Sequence, residues 1–516
     1  MTSRHYDVVV LGRSLGALAA AALLARRDFR VLVLGQGQRP ARYAYERFAL
    51  LRRTFTLLSA SSPAMKRLLH ELAQSPQFNR RVRELDPMFT MLMPGRRIEV
   101  APDMTLFERE VEREFPEVRQ IVDELYASFA QVNTAVDAAF ERDAVWPPER
   151  FWERLETGRA ATQIPLVGGS APRDVLGKFP VGHAYRDVVL LPVSFATDLA
   201  IVADQLPAIV TARLHGAWTR GVAAMSQGED ELSEFLTERI EAHGGECRLN
   251  NAAVRLVVER GRVVGVLEDG EDDPTGADNV VSDSSGEVLA DLARGEGITK
   301  RAQNDWPRLS ASVGRFVVTL AMKKSGLPDA LGQESFVLPL SGARQNPRHP
   351  VVHLQRWDSL AENPDESVLA AEMLLSTRGP LTLLEARNAV LTTLSEQLPF
   401  LMRHVLVVDS PHDGLPLADF SSGTERAIDR IHLKQSTPGP EPMRWQWSVE
   451  PPGYLDLAGE SVRGPIPGTF LVGPTVLPGL GQEGELLAAW GAARIISRRD
   501  GRRQRMRRQM WSKIET

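Results

Sequence analysis

The stretch "YDVVVLGRSLGALAAAALLARRDFRVLVLGQG", residues 6–37, constrains the fold of this chain more than any other. Residues 6–11 are apolar apart from Asp7, the pattern of a parallel strand covered on both faces. A glycine-punctuated turn leads into an Ala- and Leu-rich helix over residues 15–27, and a second apolar strand follows over residues 30–34. Strand, helix and strand on such short links make a right-handed βαβ unit. The fold class that follows is α/β, opening on a Rossmann-like unit.

The turn departs from the usual phosphate-binding form. In G-x-G-x-x-G the first glycine makes the tight turn, the second admits the pyrophosphate, and the third lets helix pack on strand. The N-terminus of the helix then supplies N–H groups and partial positive charge. Here the turn reads G-R-S-L-G-A, with Gly12 in the first role, Ser14 in the second and Ala17 in the third. Ala is tolerated in the third place, whereas Ser14 adds a side chain where a ligand should come closest. Residues 12–16 also spell G-x-S-x-G, the nucleophile elbow of α/β-hydrolases. Against that reading, only a dozen residues precede it, and no local His or acid offers itself as a partner.

Length and composition limit the alternatives. With 516 residues, two or more domains are expected. Lys plus Arg total 61 against 66 Asp plus Glu, a net charge of -5, which does not suit a nucleic-acid-binding protein. The single Cys247 excludes internal disulfides and a Cys-rich metal site, and reads as a small hydrophobe on a buried strand. No metal site is expected. The ten histidines are scattered, and His183, His215 and His243 read as structural or exposed. No secretory signal pattern and no bilayer-length apolar run is seen, so a cytoplasmic chain is expected.

Further elements follow from pattern. Thr105 and Glu108 suggest a capping box, and Phe107, Val111 and Phe115 share the face of a helix that Pro116 ends. Residues 228–243 read as a helix burying Leu232, Phe235, Leu236 and Ile240, stopped by Gly244 and Gly245. Residues 247–259 and 263–267 read as a β-hairpin across "ERGR", and residues 279–282 as a third short strand. "STPGPEPMRWQWSVEPPGY" reads as a proline-rich linker, residues 468–473 as a strand, and residues 485–498 as a helix.

The other end of the chain carries a family resemblance. "VRGPIPGTFLVGPTVLPGLGQEGELLAAWGAARII", residues 462–496, resembles the C-terminal FAD-binding segment of the phytoene desaturase and carotenoid isomerase family, within the flavin amine-oxidase-like superfamily. "MPGRRIEVAPDMTLFEREVEREFPE" is similar to that family's early substrate-domain segment. "GEDELSEFLTERIEAHGGECRLNNAAVRLVVERGRVVGVLEDG" is similar to its central helix and hairpin, and "ADNVVSDSS" to the next strand. The resemblance implies a Rossmann-like FAD-binding domain built from discontinuous segments, 1–65, 221–290 and 440–516. An α+β substrate domain would take 66–220 and 291–439. It implies FAD as cofactor, held around Gly12, Arg13, Ser14, Gly16, Ala17, Gly35, Val254, Gly473 and Pro474, with the backbone at Val254 meeting the adenine.

The departures from that family lie in the same places. Its members end the second strand with an acid that bonds the ribose, where this chain has Gly35. The Gly-Gly-Arg element that follows is missing from "QGQRPARYAYER", and an acid often found after the glycine matching Gly473 is Pro474. Losing two charge-assisted hydrogen bonds of roughly 1.5–3 kcal/mol each weakens a ligand on the order of 10²- to 10⁴-fold. Gln36 or Gln38 can replace a ribose contact, and Arg13 or Arg39 can pair with a pyrophosphate.

Two functions are therefore carried forward. One is an FAD-dependent oxidoreductase of desaturase or isomerase type acting on a polyene or other long apolar substrate, the flavin supplying the redox chemistry and no catalytic side chain being named. The other is a cofactor-free binding or scaffold protein on the same fold. The eight arginines between residues 494 and 508, with Met506, Met510, Trp511 and Ile514, suggest a basic amphipathic tail for an anionic membrane surface.

Overall fold

The opening strand, His5–Leu11, is central to a seven-stranded sheet. It pairs in parallel with Val31–Leu34 on one side and Thr275–Ser282 on the other. Glu246–Arg248 extends the sheet beyond Val31–Leu34, and Thr469–Leu471 pairs with the far end of Thr275–Ser282, both in parallel. An antiparallel hairpin, Ala253–Glu259 with Arg262–Glu268, forms the edge. Its two-residue turn places Arg260 and Gly261 at φ of 50° and 73°, the positive values a tight hairpin demands. The computed structural model describes residues 5–162, 164, 175–202, 205–340, 346–437 and 439–500.

The helix Leu15–Arg26 is apolar all round because it is buried all round: every residue from Gly16 to Ala25 is inside. Its alanines let the sheet and the closing helix, Gln482–Arg499, approach from different sides. The approach is closest at Gly16, where a Cβ would overlap the Val472 carbonyl oxygen. This domain is thus a Rossmann-like α/β unit assembled from strands far apart in sequence.

The second sheet has ten strands and is mainly antiparallel. Its long strand Arg308–Lys323 pairs with Glu366–Ser376 on one side and with Val405–Asp409 and Arg444–Glu450 on the other. Helix Leu383–Gln397 covers one face, and the hairpin Arg42–Tyr45 with Phe48–Leu51 packs on the other. The helices between Met104 and Thr219 share one continuous apolar core with the first sheet.

Several local expectations are corrected. The helix Met104–Glu114 is capped by Asp103, whose Oδ1 accepts from Leu106 N at 3.0 Å, and not by Thr105. Phe107, Val111 and Phe115 are buried as their spacing requires. Residues 247–259 are two strands, separated by the turn that carries Leu249 and Asn251, and Cys247 is only partly buried. The proline-rich segment after residue 436 contains the strand Arg444–Glu450, which belongs to the large sheet and so lies apart from the cofactor-type half to which 440–516 was assigned. His215 is structural: it meets Tyr126 OH at 2.9 Å, and burial pulls its pKa down to about 4. Among the described residues no helix is long and apolar enough to cross a membrane. The basic tail, residues 502–514, lies outside the described residues.

Candidate functional site

The parallel strands end in step. Leu11 stands opposite Leu34 and Ser282, and Ser282 opposite Leu471. Gly12, Gly35, Asp283 and Gly473 therefore emerge along one edge, the carboxyl edge where open α/β sheets receive ligands. Gly12 sits at φ 118°, open to glycine alone, and a Cβ there would overlap the Asp283 carboxylate. A Cβ at Gly473 would overlap the Asp283 carbonyl oxygen. Both glycines are thus required by Asp283 itself.

Ser14 caps the opening helix. Its φ and ψ of -61° and 166° are relaxed, and its Oγ accepts from Ala17 N at 3.3 Å. A nucleophile elbow holds its serine on a strained turn with the hydroxyl presented outward, so the hydrolase reading fails here. Three more N–H groups of the turn are also taken. Arg13 N donates to Gln38 Oε1 at 3.1 Å, Ser14 N to Asp283 Oδ2 at 2.9 Å, and Gly16 N to Glu485 Oε2 at 3.0 Å. Gln38 Nε2 completes the set by donating to Asp283 Oδ1 at 2.9 Å. Burial raises the pKa of both carboxyls; Glu485 is pushed up to about 7, although the Gly16 N–H and Arg444 oppose the rise.

The adenosine end is closed as well. A Cβ at Gly35 would overlap the Leu249 carbonyl oxygen, so no acidic side chain can stand there. Val254 is 50% exposed, and the contact expected at its backbone is made one residue earlier, where Gln36 bonds to Ala253. Gln36 and Gln38 are therefore spent on the protein, and Arg39 donates to Gln435 O at 3.1 Å. Of the groups expected to replace lost contacts, the Arg13 side chain alone stays unbonded, and FAD, the cofactor the fold implies, does not fit these residues in the extended dinucleotide pose. Its pyrophosphate would meet two buried carboxylates where free N–H donors are needed.

Beside this edge lies a cavity of about 570 Å³, within the range of small-molecule sites. Ser14, Gln38, Asp283, Pro474 and Glu485 line the sheet side. Arg315, His353, Glu372, Arg444 and Trp447 line the side of the large sheet, and Phe195 and Trp218 come from the helices between Met104 and Thr219. Sequence reasoning singled out none of these except Ser14 and Pro474, with Gln38 as a rescue contact, because the others sit on or directly after helices and strands that only the tertiary fold brings together.

Most charges in the cavity are matched. Arg315 Nη1 donates to Glu372 Oε1 at 2.9 Å and to the Phe195 carbonyl at 2.6 Å. Arg53 Nε and Arg444 Nη2 hold Glu229 at 2.5 and 2.8 Å. Burial alone would raise Glu229, yet these arginines bring it to about 2. His353 Nε2 lies 2.7 Å from Glu334 Oε2, and burial raises the Glu334 carboxyl. Among the described residues, the Arg13 side chain lines the cavity with no hydrogen-bond or ion-pair partner, and the buried Trp447 Nε1 has none either.

No protein-family model matches the chain, and no curated protein sequence does. Solved structures do match in fold. An oxidoreductase from Methanosarcina mazei aligns over 93% of this chain and 98% of its own, with 16% identity and a TM-score of 0.56. A single-site variant of putrescine oxidase, redesigned in cofactor binding, aligns over 96% and 100%, with 14% identity and a TM-score of 0.55. A protein from Pyrococcus furiosus aligns over 95% and 97%, with 15% identity and a TM-score of 0.52. The likeness runs through the whole chain at very low identity, and it establishes the architecture alone: a Rossmann-like α/β domain joined to a second, mainly antiparallel sheet.

Proposed function

We propose that the chain binds an amphipathic organic molecule, a long apolar body with one anionic group, in the 570 Å³ cavity, on a flavin-oxidoreductase fold that does not hold FAD in the dinucleotide pose. The observation that carries this reading is the state of the turn: its N–H donors bond to Asp283, Glu485 and Gln38. Phe55, Phe195, Trp218 and Met443 offer the apolar wall, and the unpartnered Arg13 offers the anion contact. A polyene with a terminal acid has this chemistry. The test is titration with a conjugated polyene fatty acid whose fluorescence rises in an apolar site. Saturable binding is expected, and Arg13→Gln should weaken it roughly 10- to 150-fold, the equivalent of one charge-assisted hydrogen bond of about 1.5–3 kcal/mol. No fluorescence rise with the unaltered chain ends the proposal.

The whole-chain likeness to oxidoreductases supports a second reading, an FAD-dependent oxidoreductase of desaturase or isomerase type on a polyene or similar apolar substrate. The visible spectrum of the purified chain separates the two. Flavin bands in stoichiometric amount would establish the second and overturn the first.

A further inference from the structure

We infer that this chain carries its own replacement for the adenosine diphosphate half of a dinucleotide, with the Asp283 and Glu485 carboxylates in the place of phosphates and the Gln36 carboxamide in the place of the base edge.

The phosphate part rests on what a helix N-terminus requires. Its free N–H groups and positive dipole end attract an anion, and a carboxylate meets the need as a phosphate does. Here two carboxylates come from opposite ends of the chain, one following the strand Thr275–Ser282 and one from the first turn of the closing helix. Each accepts from a different N–H of the same turn, at 2.9 and 3.0 Å. They are only 5% and 8% exposed, and Gln38 braces the first. Two acidic side chains are thus buried at one turn, each on a backbone donor that requires an acceptor.

The base part rests on a two-point bond. Gln36 Nε2 donates to Ala253 O at 2.7 Å, and its Oε1 accepts from Ala253 N at 2.9 Å. A carboxamide presents a donor beside an acceptor, as an adenine edge does. The residue is fixed in that place by a φ of 53° and by its own N–H on Asn251 O at 3.1 Å.

This inference rests on the reading that the chain does not hold FAD, and one experiment separates the two. ADP and FAD are titrated calorimetrically against the full chain, against Asp283→Ala with Glu485→Ala, and against the charge-only pair Asp283→Asn with Glu485→Gln. The unaltered chain should bind neither probe. The alanine pair should bind ADP with a Kd at least tenfold below the highest concentration at which the unaltered chain shows no binding, and Gln36→Ala on that background should tighten it again. If the alanine pair fails to fold, as judged by circular dichroism, the charge-only pair decides, with the same direction expected. Stoichiometric FAD binding by the unaltered chain would overturn both the inference and the proposed function. Folded variants that bind ADP no better than the unaltered chain would overturn the inference alone.

Discussion

Replacing Glu485 by Gln tests whether a buried anion really occupies the turn. The side chain is 8% exposed, and its carboxyl sits at about 7 against an ordinary 4.5, chiefly because burial disfavours the charged form. A carboxyl raised on folding is protonated more readily in the folded than in the unfolded chain. Its destabilising effect is therefore absent well below pH 4.5, grows as pH rises, and is complete above pH 7. At about 1.4 kcal/mol per unit, the cost is on the order of 1 kcal/mol at pH 5 and 3 kcal/mol at pH 8. Gln keeps an acceptor for the Gly16 N–H and removes the charge. The variant should therefore gain about 2 kcal/mol over the unaltered chain between pH 5 and pH 8. The assay is urea unfolding at both pH values, with each midpoint converted through its own slope. If the two chains keep the same difference at pH 5 and pH 8, or if the gain is larger at pH 5, Glu485 is not a buried carboxyl with a raised pKa and the account of the turn is wrong.

Two other perturbations are informative. Restoring the family's acid through Gly35→Glu should not create a ribose contact, because its Cβ overlaps the Leu249 carbonyl oxygen; we expect a loss of at least 1–3 kcal/mol by urea unfolding, and an unchanged midpoint would refute the closed adenosine end. Ser14→Gly should cost only a few tenths of a kcal/mol in the same unfolding assay, since Gly also serves as an N-cap. For the tail, we propose that residues 502–514 attach to anionic membrane, each arginine near the surface contributing about 1 kcal/mol. Only the full chain, and not one ending at Gly501, should float with anionic vesicles at low salt, and equal behaviour of the two would strike the membrane as a partner. Arg494 takes no part in this, because it is 5% exposed and bonded to Asp143 and Glu156.

The fold was legible where the signal is local. The opening βαβ unit follows from a run of buried valines, an alanine-rich helix and short links, and its boundaries fall within a residue of those read from the pattern. The hairpin of 253–268 is announced by its Arg-Gly turn, and the closing helix by its Gly-rich entry. The large sheet was not legible, because its centre pairs Arg308–Lys323 with Arg444–Glu450, and proline and tryptophan hide the second of these strands. At the turn, the sequence shows Ser14, Gly35 and Pro474 where the family pattern has other residues. What replaced the missing contacts was not legible. Asp283 reads as an ordinary polar residue after a strand, and Glu485 as an acid suited to the first turn of its own helix. Nothing local says that both address the N-terminus of another helix, 269 and 469 residues away.

That concealment has a physical origin. A βαβ unit cannot drop its turn donors when it drops a ligand, because the helix and its packing on the sheet fix where those N–H groups point. Buried donors left without acceptors cost about 1–3 kcal/mol each, so the chain must supply acceptors from whatever elements reach the carboxyl edge of the sheet. Here those elements are the strand end at Asp283 and the helix start at Glu485, both brought there by parallel pairing and helix packing alone. Two carboxyls satisfy these donors at the cost of burial, which raises the pKa of both, and the bond from Gln38 opposes the rise at Asp283. The architecture of a dinucleotide-binding domain thus persists through packing, while the Arg13 side chain and the Trp447 Nε1 remain on the cavity wall without partners among the described residues.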